Sequence, residues 1–119
     1  MSCKAAVRHA GKIAIVDLSG RLTLGEGSGL VRSTIKNLIT SGTSNILLNL
    51  AGVTYIDSAG LGELVGSYAS ATSAGGNVKL VNAQGKVSEV LTITKLYTVF
   101  ESFGDEAEAL RSFGESATA

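Results

Sequence analysis

One segment near the middle of the chain places a carboxylate, a hydroxyl and two glycines at a spacing that could support chemistry. Asp57 and Ser58 follow a short extended run, residues 53–56, and precede apolar residues at helical spacing. Ser58 is therefore predicted at the first position of a helix, where unpaired N–H groups and a partial positive charge favour an anion. Gly60 and Gly62 follow, at a cost of up to about 1 kcal/mol each relative to alanine, which indicates close approach by another backbone or by a partner. Two interpretations stay open: helix capping by Asp57 or Ser58 with tight packing, or a functional hydroxyl.

The rest of the chain offers little that could activate Ser58 as a nucleophile. The single histidine, His9, lies beside a predicted turn near the N-terminus, and no nucleophile is evident within its reach. The single cysteine, Cys3, excludes a disulfide within the chain and a metal site built from several cysteines. The acidic residues are scattered rather than clustered. We therefore predict no enzymatic activity, no metal and no cofactor, and a functional Ser58 would accept a group, such as phosphate, from another enzyme.

A second candidate is the glycine-rich stretch Gly25–Gly29, which resembles part of a dinucleotide-binding loop. The third glycine of that fingerprint would stand at position 30, which is leucine, and the expected acidic residue is replaced by Asn49. A flexible connection between a strand and a helix is the favoured interpretation. Nucleotide binding is the alternative.

Length, composition and charge limit the class of protein. The chain has 119 residues, ten basic and ten acidic side chains, and 45% hydrophobic against 17% charged residues. This balance argues against disorder, a nucleic-acid footprint or a polybasic membrane patch, so neither nucleic acid nor membrane is expected as a partner. The apolar runs are too short to cross a bilayer, and no signal peptide is evident. We expect one cytoplasmic domain over residues 1–119, with a frayed tail at 114–119.

Alternating hydrophobic patterns predict an α/β fold with the order β-β-α-β-α-β-α-β-α and a mixed, mainly parallel sheet with helices packed on it. Strands are predicted over residues 5–8, 12–18, 45–50, 78–81 and 99–103, with a short extended approach over 53–56. The first helix is predicted to begin at Ser28 as N-cap and to end before Gly42. Helices are also predicted over 61–72 and 86–95, with a last one opened by Asp105 and ending near Phe113.

Residues 49–62 closely resemble the signature of the bacterial anti-sigma factor antagonists, the stand-alone STAS domains of sporulation and stress responses. That signature is a strand followed by Asp-Ser-Ser/Ala-Gly-Leu-Gly, which here begins at Asp57. The resemblance extends over nearly the whole chain. Residues 18–22, Leu-Ser-Gly-Arg-Leu, resemble the family's motif after the second strand, and residues 75–80 resemble its glycine turn into the fourth.

The resemblance implies a phosphorylation switch at Ser58. The unphosphorylated antagonist would bind an anti-sigma factor that is also a serine kinase, which frees the sigma factor. The kinase would phosphorylate Ser58, and a PP2C-type phosphatase would reset the switch. The implied partner-binding residues are Gly20, Arg21, Leu22, Thr23, Asp57, Ser58, Ala59, Gly60, Leu61 and Gly62.

Two features leave room for other interpretations of the family resemblance. Many members carry aspartate where this chain has Thr23, which bears on the choice of partner, and the glycine-rich Gly25–Gly29 is unusual for the loop. The alternatives are a ligand- or nucleotide-sensing STAS module, and a scaffold or accessory subunit of a signalling or transport complex.

Overall fold

The computed structural model describes residues 3–118, and the side chains of residues 3–113, as a five-stranded sheet with four α-helices. The elements are β1 (Cys3–Ala10), β2 (Ile13–Leu22), α1 (Glu26–Thr40), β3 (Asn45–Ile56), α2 (Ser58–Ser73), β4 (Asn77–Val81), α3 (Gly85–Ile93), a 3-10 turn (Leu96–Thr98), β5 (Ser102–Phe103) and α4 (Glu106–Thr118). The predicted order of elements and the α/β class are confirmed.

The strands follow one another across the sheet in chain order, β1-β2-β3-β4-β5. β1 pairs antiparallel with β2 through a turn in which Gly11 has a φ of +61°, and the other neighbours pair in parallel. The sheet is therefore mixed and mainly parallel, as predicted. Because β2 and β3 run in the same direction, both end at one edge of the sheet, where α1 and α2 begin.

The core has two parts, one on each face of the sheet. Ile46 and Leu48 of β3 pack in the larger cluster with apolar residues of α1, α2 and α3, while Leu47 packs on the other face with Phe113 of α4. All three β3 residues are fully buried. Burying one leucine or isoleucine side chain contributes about 1.5–3 kcal/mol, so β3 anchors the edge at which Ser58 follows.

The predicted ends of two strands were wrong. β2 does not stop at Ser19-Gly20 but continues to Leu22, because Gly20 adopts a φ of +93° and register shifts accommodate it next to β3. The predicted strand over 45–50 and the extended approach over 53–56 form one continuous strand, β3. The extension of β2 brings Leu22 next to Asp57, whose N–H donates to the carbonyl oxygen of Leu22.

The predicted start of the first helix was also wrong. α1 begins at Glu26, with Gly25 as its N-cap at a φ of +100°, so Ser28 lies inside the first turn and is buried. The N–H of Ser28 donates to the carbonyl oxygen of Thr23 at 3.0 Å. The C-terminal signal is confirmed, since Gly42 follows the helix with a φ of +99°.

The C-terminal elements differ from the prediction in length. The last strand is only Ser102–Phe103 rather than 99–103, because the preceding chain forms the 3-10 turn and the N–H of Val99 donates to Leu96 O at 2.9 Å. Asp105 opens α4 as predicted, with its Oδ2 accepting from the N–H of Glu108 at 2.9 Å. The helix reaches Thr118 rather than ending near Phe113. Fraying over 114–119 stays a prediction, and residue 119 lies outside the described residues.

Candidate functional site

Ser58 is the first residue of α2, directly after β3, and its side chain is exposed. The cap of the helix is Asp57: its backbone is extended, and its Oδ1 accepts from the N–H of Gly60 at 2.9 Å. The question of which residue caps α2 is therefore answered in favour of Asp57. The Ser58 hydroxyl is not needed for capping and lies at a helix N-terminus.

The Asp57 carboxylate also holds a second element. Its Oδ2 accepts from the N–H of Leu24 at 3.0 Å, and the N–H of Asp57 donates to the carbonyl oxygen of Leu22 at 3.2 Å. The N–H groups of Gly60 and Leu24 lower the pKa of Asp57, because they stabilise the ionised carboxylate. One side chain thus fastens the loop between β2 and α1 to the start of α2. It brings together the two groups of predicted partner-binding residues, 20–23 and 57–62.

The two glycines after Ser58 have different surroundings. A Cβ added to Gly60 would collide with the carbonyl oxygen of Leu22 and would lie 2.8 Å from Cγ1 of Ile56. A Cβ added to Gly62 would meet nothing within 4 Å. Gly60 is therefore required by the close approach of β2, whereas the space in front of Gly62 is open.

The predicted partner residues at the end of β2 and in the β2–α1 loop differ in how far they are exposed. Arg21 is exposed, and its guanidinium carbon lies 4.8 Å from the centroid of the Tyr55 ring. Thr23 is half-buried, and Leu22 is fully buried in the main core. The Leu22 side chain therefore positions the loop rather than facing outward. Three further predicted partner residues are half-buried: Gly20 in β2, and Ala59 and Leu61 in α2.

Sequence reasoning missed Leu24. Its side chain is 80% exposed, although it belongs to the loop that Asp57 holds in place. The available signal was a large apolar residue directly before the glycine-rich stretch, where a turn is usually polar.

In the glycine-rich stretch Gly25–Gly29, the backbone N–H groups of the last two residues are already occupied. The N–H of Ser28 already donates to Thr23 O, and the N–H of Gly29 donates to Gly25 O at 2.9 Å. A Cβ at Gly27 would lie 2.6 Å from the carbonyl oxygen of Arg21, so that glycine serves close packing. Gly25 is the N-cap of α1, and residues 26–29 form its first turn.

The remaining candidate residues lie elsewhere. His9 is exposed on β1, opposite Ala14. Cys3 is buried in the main core, and burial raises the pKa of its thiol. Among the side chains that the structure describes, residues 3–113, no group of three or more His, Cys, Asp or Glu is placed to hold a metal ion. Within residues 3–118, no helix combines the length and apolar character needed to cross a membrane.

Comparison with known proteins places this geometry in a family. Residues 4–109 match the model of the STAS domain. The chain is 27% identical to the anti-sigma F factor antagonist of Paenibacillus polymyxa over 111 residues, which are 92% of this chain and 94% of that protein.

Two solved structures share the fold over nearly the whole chain. One is a Thermotoga maritima protein provisionally named an anti-sigma factor antagonist, with a TM-score of 0.81, 26% identity and coverage of 91% of this chain and 92% of that one. The other is the Bacillus cell fate determinant SpoIIAA in its phosphorylated form, with a TM-score of 0.71 and coverage of 92% and 98%. The identity to SpoIIAA is 20%, so this second likeness concerns the fold alone.

Proposed function

The chain belongs to the STAS domain family, and from that premise we propose that it is an anti-sigma factor antagonist switched by phosphorylation of Ser58. The unphosphorylated protein would bind an anti-sigma factor that is also a serine kinase, and would thereby release the sigma factor. The name of the Paenibacillus polymyxa relative supports the class of regulator. In this proposal the protein acts in the cytoplasm and has no catalytic activity of its own.

The observation that carries the proposal is the separation of roles between Asp57 and Ser58. Asp57 caps α2, so the exposed hydroxyl of Ser58 can be modified without removing the cap. Phosphate would add about −1.5 to −2 charges and three acceptor oxygens at a helix N-terminus, where negative charge is favoured. The neighbouring Asp57 carboxylate opposes this gain, although two N–H groups stabilise its negative charge. The fold is therefore expected to tolerate the phosphate.

A partner would not tolerate it equally well. Ser58 and Gly62 are both exposed in the first turns of α2, and the space in front of Gly62 is open. A partner surface can therefore approach closely there. A hydrated dianion in that contact would lose water, and doing so without a matching cation costs several kcal/mol. Since each 1.4 kcal/mol is a tenfold change in affinity, phosphorylation of Ser58 would release the partner. A PP2C-type phosphatase would restore the binding form.

The test is phosphorylation by the kinase partner, purified after it has been identified by co-purification with this protein from its native cell. Incubation with labelled ATP should place the label on Ser58, as mapped by mass spectrometry, and Ser58→Ala should take up none. Ser70→Ala is the matched control, because Ser70 is an exposed serine on the same helix. Label on another residue, or label retained by Ser58→Ala, would refute the proposed switch.

The geometry of residues 25–29 argues against the nucleotide-sensing alternative, since the N–H groups of Ser28 and Gly29 already have carbonyl partners. Calorimetry of the purified protein should detect no micromolar binding of ATP or GTP. Gly29→Val is the variant to compare, because a Cβ at Gly29 meets nothing within 4 Å, whereas a Cβ at Gly27 would collide with the backbone of β2. A tight nucleotide site that Gly29→Val abolishes would favour the nucleotide-sensing alternative over the proposed antagonist function.

A further inference from the structure

The loop between β2 and α1 presents one large apolar side chain to solvent, on a residue whose backbone is bonded to Asp57. Leu24 is 80% exposed, and its backbone N–H lies 3.0 Å from Oδ2 of Asp57, the residue before Ser58. An isolated exposed leucine is ordinary on a protein surface and needs no explanation. What sets Leu24 apart is that its backbone is held on both sides.

The hydrogen bonds around Leu24 fix the loop. On one side, the carbonyl oxygen of Thr23 accepts from Ser28 N at 3.0 Å; on the other, Gly25 caps α1, and its carbonyl oxygen accepts from Gly29 N at 2.9 Å. Between them, the N–H of Leu24 is bound by Asp57. A side chain on a backbone that is already ordered loses less conformational entropy when a partner buries it, and so contributes more to affinity.

Asp57 connects this loop to the proposed switch. One carboxylate oxygen accepts from Gly60 and positions Ser58, and the other accepts from Leu24. Asp57 therefore joins the loop that carries Leu24 to the helix turn that carries Ser58. A partner that contacts both Leu24 and Ser58 must carry an apolar pocket next to the surface that meets Ser58.

We propose that Leu24 is the apolar anchor of the partner interface, and that Asp57 is the residue that positions it. This inference rests on the proposed function, because the partner it addresses is the anti-sigma kinase. It adds the chemistry of recognition: an apolar pocket for Leu24 beside the site at which the kinase meets Ser58.

The experiment measures the affinity of the purified kinase partner for Leu24→Ser, with Ile93→Ser as the matched control. Ile93 is 74% exposed, but it is the last residue of α3, a helix length away from the edge at which α3 begins. Both variants should stay folded, since both side chains are exposed. We expect Leu24→Ser to weaken binding by at least tenfold, Leu24→Met to retain it within about threefold, and Ile93→Ser to leave it unchanged.

The role of Asp57 is tested by Asp57→Asn. An asparagine oxygen can still accept from Gly60, but its NH₂ group cannot accept from Leu24. Amide hydrogen exchange should therefore show loss of protection at Leu24 with retained protection in α2. If Asp57 acts on affinity through Leu24, the double variant Asp57→Asn/Leu24→Ser should bind no more weakly than Leu24→Ser alone. Losses that simply add would refute this positioning role.

The same measurements separate failure of this inference from failure of the proposed function. Wild-type affinity in Leu24→Ser, together with weak binding of Ser58→Glu, would overturn the anchor and leave the switch standing. Wild-type affinity in both variants would overturn both. An equal loss of affinity in Leu24→Ser and Ile93→Ser would show a nonspecific effect of removing an exposed apolar side chain. That result would also overturn the role of Leu24 as the anchor.

Discussion

The first turns of α2 have an inner and an outer face, and the two glycines there belong to different faces. The inner face, at Gly60, lies against the end of β2, where the carbonyl oxygen of Leu22 leaves no room for a side chain. The outer face, at Ser58 and Gly62, is exposed and has open space before it. Glycine is therefore required for packing on the inner face, whereas on the outer face it leaves the backbone exposed.

The inner face should give the largest effect on stability. Gly60→Ala would force its Cβ against the Leu22 carbonyl and the Ile56 side chain, and overpacking of this kind costs about 1–3 kcal/mol. Urea denaturation of wild type and variant would measure the loss of unfolding free energy. A variant as stable as the wild type would show that β2 and α2 can separate at little cost.

The outer face should respond in the opposite direction. Gly62→Ala has no steric conflict and removes a glycine from a helix, so stability should rise by up to about 1 kcal/mol. The same denaturation series measures it, with Gly66→Ala as a control at another open position of α2. Destabilisation by Gly62→Ala would mean that the two faces do not differ as described.

Ser58 itself should contribute least to stability. Because Asp57 supplies the cap and Ser58 is exposed, Ser58→Ala should change the free energy of unfolding by no more than about 0.5 kcal/mol. Asp57→Ala, which removes the cap, is expected to cost about 0.5–2 kcal/mol in the same assay. Global unfolding of Ser58→Ala would instead make the serine chiefly structural.

The sequence allowed the order of elements and the position of Ser58 to be predicted, because hydrophobic periodicity and the Asp-Ser-Ala-Gly-Leu-Gly motif are local signals. It could not show that Gly60 and Gly62 differ, since the atom that excludes a side chain at Gly60 belongs to Leu22, 38 residues earlier. The same limit applies to Leu24. The role proposed for Leu24 depends on a hydrogen bond to Asp57. A hydrogen bond between residues 33 positions apart produces no periodic pattern in the sequence.

The start of α1 illustrates a different limit. Ser28 has the residue type of an N-cap, but the helix begins earlier, at the positive φ of Gly25. Packing of Gly27 against Arg21 and Leu22 draws the first turn toward β2. A tertiary contact thus overrides a local capping preference, and it also orders the loop that carries Leu24.

The central claim, that charge at Ser58 releases the partner, is tested most directly by the affinity of the kinase partner for Ser58→Glu. The matched control is Ser70→Glu, which introduces the same charge at an exposed serine in the C-terminal half of α2. We predict at least a tenfold loss of affinity for Ser58→Glu, and wild-type affinity for Ser58→Ala and Ser70→Glu. Equal affinity of all four proteins, or an equal loss in both glutamate variants, would contradict the assignment of Ser58 as the switch.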